Sequence, residues 1–138
     1  MSSTREQFPG SDVVMTQILV VDDLDRSRRW WADLLGASLY REYGGTSAVL
    51  SFAGAWILLV TGGPPTADKP TITFTPPEAP DRVSHAMTLR VTDCQAVHDE
   101  LVSRGASFIT PPHDWGAEIR EFLQDPDGHL VELSQAVS

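Results

Sequence analysis

The segment 121–135, EFLQDPDGHLVELSQ, sets one carboxylate, Glu132, between Leu130-Val131 and Leu133. A strand with a single acid among apolar neighbours can serve a metal ion, an organic ligand or only solvent. On a buried face the acid needs a base or a ligand beside it, because a desolvated carboxylate without one protonates. His113 and Trp115 fall in PPHDWG, residues 111–116, a loop that could close over a ligand as a lid. His113 is the histidine placed for acid–base chemistry, so Glu132 and His113 are the candidate catalytic residues. His98 is expected on an exposed helix surface, and His129, just after the turn, is expected to point outward. Cys94 opens a helix, and with no base in view it reads as packing. No Gly-rich phosphate loop and no Ser-His-Asp order is found.

Strands and helices must position these groups. Residues 15–21, MTQILVV, are apolar and rich in β-branched side chains, which predicts a strand. Asp22 or Asp23 can cap a following helix, in which Leu24, Ser27, Trp31, Leu34 and Leu35 share helical spacing and Gly36 is the stop. Adjacent tryptophans cannot share a helix face, so Trp31 is expected to pack on the sheet and Trp30 to lie at an edge or subunit contact. Strands ASLYREY, SAVLSF and AWILLVT follow. Residues 61–83 hold six prolines, and TITFT within them could add an edge strand. The pattern then restarts: strand HAMTLRV, a helix capped by Asp93 over CQAVHDELVSRG, and strands ASFIT, EIREFLQ and HLVELS.

The chain thus reads β-α-β-β-β twice. Leu19-Val20-Val21-Asp22-Asp23 overlays Leu89-Arg90-Val91-Thr92-Asp93, and Gly36-Ala37 overlays Gly105-Ala106. An internal repeat of this kind fixes architecture. It divides the chain into a disordered tail (1–12), a first module (13–61), a Pro-rich connector (62–83) and a second module (84–135).

With 138 residues and 41% hydrophobic content, the chain can bury a core without staples. A net charge of −9 argues against a nucleic-acid partner. No apolar run approaches the ~18 residues of a membrane helix. The polar start lacks the apolar core of a signal peptide. The single cysteine rules out an internal disulfide and fits the cytoplasm.

LVVDDLDRSRRWWADLLG, LRVTD and DPDGHLVEL resemble the joints and last hairpin of the vicinal oxygen chelate superfamily, which includes glyoxalase I, extradiol dioxygenases and bleomycin-resistance proteins. The resemblance spans residues 13–135. It implies an α+β fold of two tandem βαβββ modules forming a cup-shaped mixed sheet, with helices on the outer face, often as a homodimer. In metal-dependent members, four strand positions supply His, Gln or Glu ligands to one divalent ion. Carried onto this chain, the first-strand positions lie seven residues before Asp23 and Asp93, at Thr16 and Ala86. The last-strand positions are Glu132 and, aligning Gly54 with Gly128, Leu58. Only Glu132 is a ligand residue. Gln17 and His85 are near misses, but strand alternation turns them to the other face or the strand end. A shifted metal site would need a set such as Glu132 with His85 or His113.

The same alternation predicts the cavity wall: Thr16, Ile18 and Val20; Trp56, Leu58 and Val60; Ala86, Thr88 and Arg90; Leu130, Glu132 and Ser134. Arg90 is the expected partner of Glu132, and Trp56 could stack on a ligand. The ligand-contacting set is Thr16, Trp56, Leu58, Ala86, Thr88, Arg90, Trp115 and Glu132. The expectation is a cup that holds a small organic molecule with neither metal nor cofactor, in a drug-sequestering or carrier protein. The alternative is a glyoxalase-like lyase or isomerase, or a dioxygenase-related enzyme, with a divalent metal on a non-standard ligand set that includes Glu132.

Overall fold

The computed structural model describes residues 7–137, so the expected tail lies partly outside the described residues; residues 8–12 form turns. Strand β1 (Thr16–Val21) alternates as its sequence requires, with Leu19 and Val21 fully buried. Asp23 then turns the chain into α1 (Leu24–Arg29), its carboxylate accepting the Arg26 N–H at 3.1 Å. The helix continues as a π-helical turn, Trp30–Leu34. It ends at Gly36, whose φ of +83° is a conformation that costs glycine little. Strands β2 (Ser38–Tyr43), β3 (Ser47–Phe52) and β4 (Ala55–Thr61) complete a sheet of order β1-β4-β3-β2, with β1 parallel to β4.

The second half repeats the plan. β5 (Ala86–Arg90) leads to α2 (Cys94–Ser103), capped by the Asp93 carboxylate on the Ala96 N–H at 3.0 Å. β6 (His113–Asp114), β7 (Glu118–Gln124) and β8 (Leu130–Ala136) follow, in the order β5-β8-β7-β6. The registers of the two sheets correspond. Ile18 lies opposite Leu58 on β1 and β4, and Thr88 lies opposite Glu132 on β5 and β8. Leu58 and Glu132 are therefore equivalent positions, as are Thr16 and Ala86.

Two expected strands are not formed. In ASFIT only Phe108 bridges to Leu123, and the Ile109 N–H reaches Phe122. Pro111 and Pro112 lack an N–H and interrupt the ladder, which resumes at His113 opposite Arg120. TITFT contributes only Phe74, bridged to Gly63.

The modules meet through their helix-covered faces. Leu19, Leu24, Trp31, Leu50, Ile57 and Leu59 of the first pack in one cluster with Leu123 and Val131 of the second. The hairpin Asp125-Pro126-Asp127-Gly128 fastens this contact. Its turn closes through the Gly128 N–H to the Asp125 carbonyl at 3.0 Å, and Gly128 takes a φ of +97°. The Asp127 carboxylate crosses to the first module, accepting the Asp22 N–H at 2.9 Å and the Ser27 hydroxyl at 3.1 Å. Asp125 accepts the Trp31 indole N–H at 3.3 Å, and burial pushes its carboxyl above the ordinary value. His129 Nε2–H donates to the Val20 carbonyl at 2.8 Å. His129 is thus buried in the module interface and does not point outward, because the turn carries it into the contact.

Asp127→Ala removes both cross-module bonds and leaves the buried Ser27 hydroxyl without an acceptor. We predict a loss of about 1–3 kcal/mol in urea unfolding. An unchanged unfolding midpoint would show that the turn does not join the modules.

Candidate functional site

The opposite faces of both sheets carry the candidate residues, and within one chain these faces stand open. Thr16, Ala86, Thr88 and Arg90 are exposed, and Ile18 retains 43% of its surface. On the second module the Glu132 carboxylate accepts the Thr88 hydroxyl, a short charge-assisted bond between neighbours in register. Arg90 is not its partner. The Arg90 guanidinium lies 3.8 Å from Glu118 on β7. The pairing follows from register: Arg90 sits opposite Ser134 and Ser134 opposite Arg120, so the reach of Arg90 falls toward the Glu118 end of the sheet.

Glu118 and Arg120 are functional candidates that sequence reasoning missed. The Glu118 carboxylate accepts the Ser134 hydroxyl and stands 3.3 Å from Arg120. The Ser134 hydrogen bond, with Arg120 and Arg90 nearby, holds its carboxyl below the ordinary value. The signal was available, since residues 118, 120 and 122 of EIREFLQ alternate onto the face of Glu132, with Phe122 directly opposite it. This wall is therefore polar: two guanidiniums, two carboxylates and two hydroxyls.

The first module's wall is aromatic and apolar. Trp56 lies opposite Thr16, and Tyr40 meets its ring edge-on at 5.2 Å between centroids. Tyr40 reaches that face where a bulge between Leu39 and Arg41 shifts the β2–β3 register. Ile18 and Leu58 continue the apolar strip. The lid candidates lie at the far edge of the second sheet. His113 stacks near Trp115 at 4.4 Å, and the Arg120 guanidinium lies over the Trp115 ring at 5.3 Å. Both are exposed and on the β6–β7 hairpin, beside the Arg120 end of the polar wall. His85 is exposed, its ring 6.0 Å from that of His129.

Behind the second wall lies a buried polar network. Glu121 is 1% exposed and accepts from His98 Nδ1 at 2.7 Å. His98 is not the exposed surface residue expected; it leans on Phe108 and packs against the sheet, because a buried carboxylate on β7 draws it in. Cys94 is fully buried beneath α2, and desolvation, aided by Glu121, pushes its thiol up to about 11. A thiol so placed is inert packing, as expected.

A family model described as Glyoxalase/Bleomycin resistance protein/Dioxygenase superfamily matches residues 12–133. The chain belongs to this superfamily. Glutathione transferase FosA of Serratia marcescens is 29% identical over 115 residues, covering 83% of this chain and 74% of that protein. The Synechocystis sp. protein named "Probable lactoylglutathione lyase" is 26% identical, with 86% and 91% covered. A glyoxalase/bleomycin resistance protein/dioxygenase from Nocardioides shares the fold, with a TM-score of 0.74 at 18% identity and coverage of 99% and 87%.

The superfamily's metal positions can now be tested against the side chains present. Leu58 and Ala86 have no donor atom, Thr16 offers only a hydroxyl, and Glu132 already accepts from Thr88. That set does not fit a divalent ion. Among the described residues no three His, Cys, Asp or Glu side chains group where they could hold a metal ion.

The Glu121 carboxyl is raised above its ordinary value, mainly by burial, with His98 opposing. A raised carboxyl contributes stability that is complete below the unfolded pKa of about 4.3 and is lost as pH rises through the folded value. Glu121→Gln keeps the side chain neutral. The melting temperature of the variant minus that of the natural chain should therefore become more positive as pH is raised through this window. A difference independent of pH would contradict the burial argument.

Proposed function

We propose that this superfamily member binds a small organic molecule between an aromatic wall and a polar wall, without a coordinated metal, as a drug-sequestering or carrier protein. The observation that supports the reading is that three of the four positions assigned to the metal by resemblance hold Thr16, Leu58 and Ala86, at strand registers that correspond between the two modules. Trp56 and Tyr40 offer flat surfaces for an aromatic or apolar body. Glu132 with Thr88, and Arg90 and Arg120 with Glu118, orient its polar groups. Trp115 and His113 flank the open edge.

Both walls face away from their own chain's core, so a homodimer that sets the aromatic wall of one copy against the polar wall of the other would enclose the ligand. Such pairing supplies the same four residue types at the metal positions and adds no donor there. No described helix is long and apolar enough to cross a membrane, and the one cysteine is buried as a free thiol. We place the protein in the cytoplasm, with neither nucleic acid nor membrane as partner.

A second reading rests on the relatives, two of which carry enzyme names, a glutathione transferase and a lactoylglutathione lyase. On that reading Glu132 and His113 would act as acid and base on a bound substrate. Screening organic molecules by thermal shift in the presence of EDTA separates the two. A binder should raise the melting temperature in EDTA, with stabilisation growing as the logarithm of its concentration. Trp56→Ala and Glu132→Ala should each weaken it about tenfold or more. Stabilisation that vanishes in EDTA, or that both variants retain in full, would overturn the proposal.

A further inference from the structure

The hairpin clamp grips the end of β1 and the start of α1, at Val20, Asp22 and Ser27. At the start of β1 the two modules close less fully, and a cavity of about 240 Å³ enters between them. Its floor is core: Trp31 and Val131 are fully buried and Ile57 keeps 3% of its surface. Met15, Phe52 and Met87 also line it. Strand register separates this cavity from the outward walls. Gln17 lies opposite Ile57 and Met87 opposite Val131, so these four alternate with Thr16, Leu58, Thr88 and Glu132 and turn to the helix-covered side. Trp56 and Thr88 are the two lining residues shared with the outward faces.

No residue of the lining carries a charge, in a chain with 21% charged residues. The Trp31 indole N–H is engaged on Asp125, the Gln17 amide on the Ile18 carbonyl and the Thr88 hydroxyl on Glu132. The lining therefore asks nothing polar of an occupant. The rings of Trp31, Phe52 and Trp56 and two thioethers offer polarizable surface instead. Methionine sulfur packs well against aromatic rings, and its unbranched chain adapts to the shape it meets. The β3–β4 edge of the cavity is fixed. Ala53 and Gly54 reverse the chain with φ of +51° and +76°, and Phe52 pairs with Ala55 directly across this two-residue loop.

We propose that this cavity is a second binding site, for a neutral aromatic molecule of one or two fused rings. An apolar cavity of about 150 Å³ accepts benzene, so one of about 240 Å³ has room for a bicyclic ring. The ring lies on Trp31, Ile57 and Val131, with Met15 and Met87 against it. A charged ligand would lose hydration there and find no counter-ion. The site is independent of the sheet-face reading, in which charged groups meet the ligand.

The test is titration of the full chain with indole and with its carboxylate and methylammonium derivatives. Binding is read by NMR of isotope-labelled methionine methyl groups, assigned through Met15→Leu and Met87→Leu. Indole should give saturable ring-current shifts at both methyls. The two charged derivatives should bind about tenfold more weakly or worse. Ala55→Phe should abolish the indole response, and because Ala55 is an exposed lining residue the melting temperature should hold. Met15→Ala, at a side chain 86% exposed, should weaken indole about threefold or more, read at Met87. That variant carries the test should the bulkier one unfold. Arg120→Ala, on the polar wall, should leave indole affinity unchanged, and Ala55→Phe should leave a sheet-face ligand bound, so the two readings fail separately. Equal binding of a charged derivative would overturn the proposal. So would full affinity in Ala55→Phe or Met15→Ala, loss in Arg120→Ala, or no saturation up to about 5 mM. Shifts of both methyls on dilution of the protein alone would put a second copy in the cavity and overturn it as well.

Discussion

Two carboxylates of one tight turn hold the two halves of this molecule together. Asp127 spans from the second module to the start of α1, and Asp125 takes the indole proton of Trp31 from within the core. Both are made possible by the turn itself, which puts Pro126 and Gly128 where a tight reversal needs them and aims the acids at the neighbouring module. Since the clamp joins the helix-covered faces, the other face of each sheet is turned outward. That constraint decides where ligand chemistry can take place.

The outward faces are not alike. The repeat duplicates backbone registers, yet it has diverged into an aromatic wall around Trp56 and Tyr40 and a charged wall around Glu118, Arg120 and Glu132. A fold that elsewhere can place four ligands around an ion has here kept one carboxylate and tied it to a hydroxyl. We propose that this acid meets an organic ligand. On the proposed reading it can accept a hydrogen bond or a positive charge, in keeping with the chain's net charge of −9.

Much of this was legible in the sequence, and the limits have physical reasons. Strand alternation placed Thr16, Leu58, Ala86 and Glu132 on one type of face, because period two survives any error in strand ends. Both helix caps and both glycine stops were readable, since each depends on a local side chain or a local φ. The partner of Arg90 was not, because it depends on β7 and β8 running on past Ser134, where β5 ends. His98 and His129 were misjudged for a related reason: Glu121 and Val20 draw them inward from distant parts of the chain. The Pro111-Pro112 break in the last sheet was visible as two missing donors, yet only the structure showed the ladder resuming at His113. Glu118 and Arg120 were within reach of the same alternation and were overlooked because β7 was not included in the wall.

The central claim is that the family's metal positions no longer hold a metal in this chain. It is tested most directly by the metal content of protein purified without chelator or affinity tag, measured by elemental analysis for the natural chain and for Glu132→Ala. The account predicts well under one bound divalent ion per chain in both, with no difference between them. About one ion per chain in the natural protein, lost in Glu132→Ala, would contradict it.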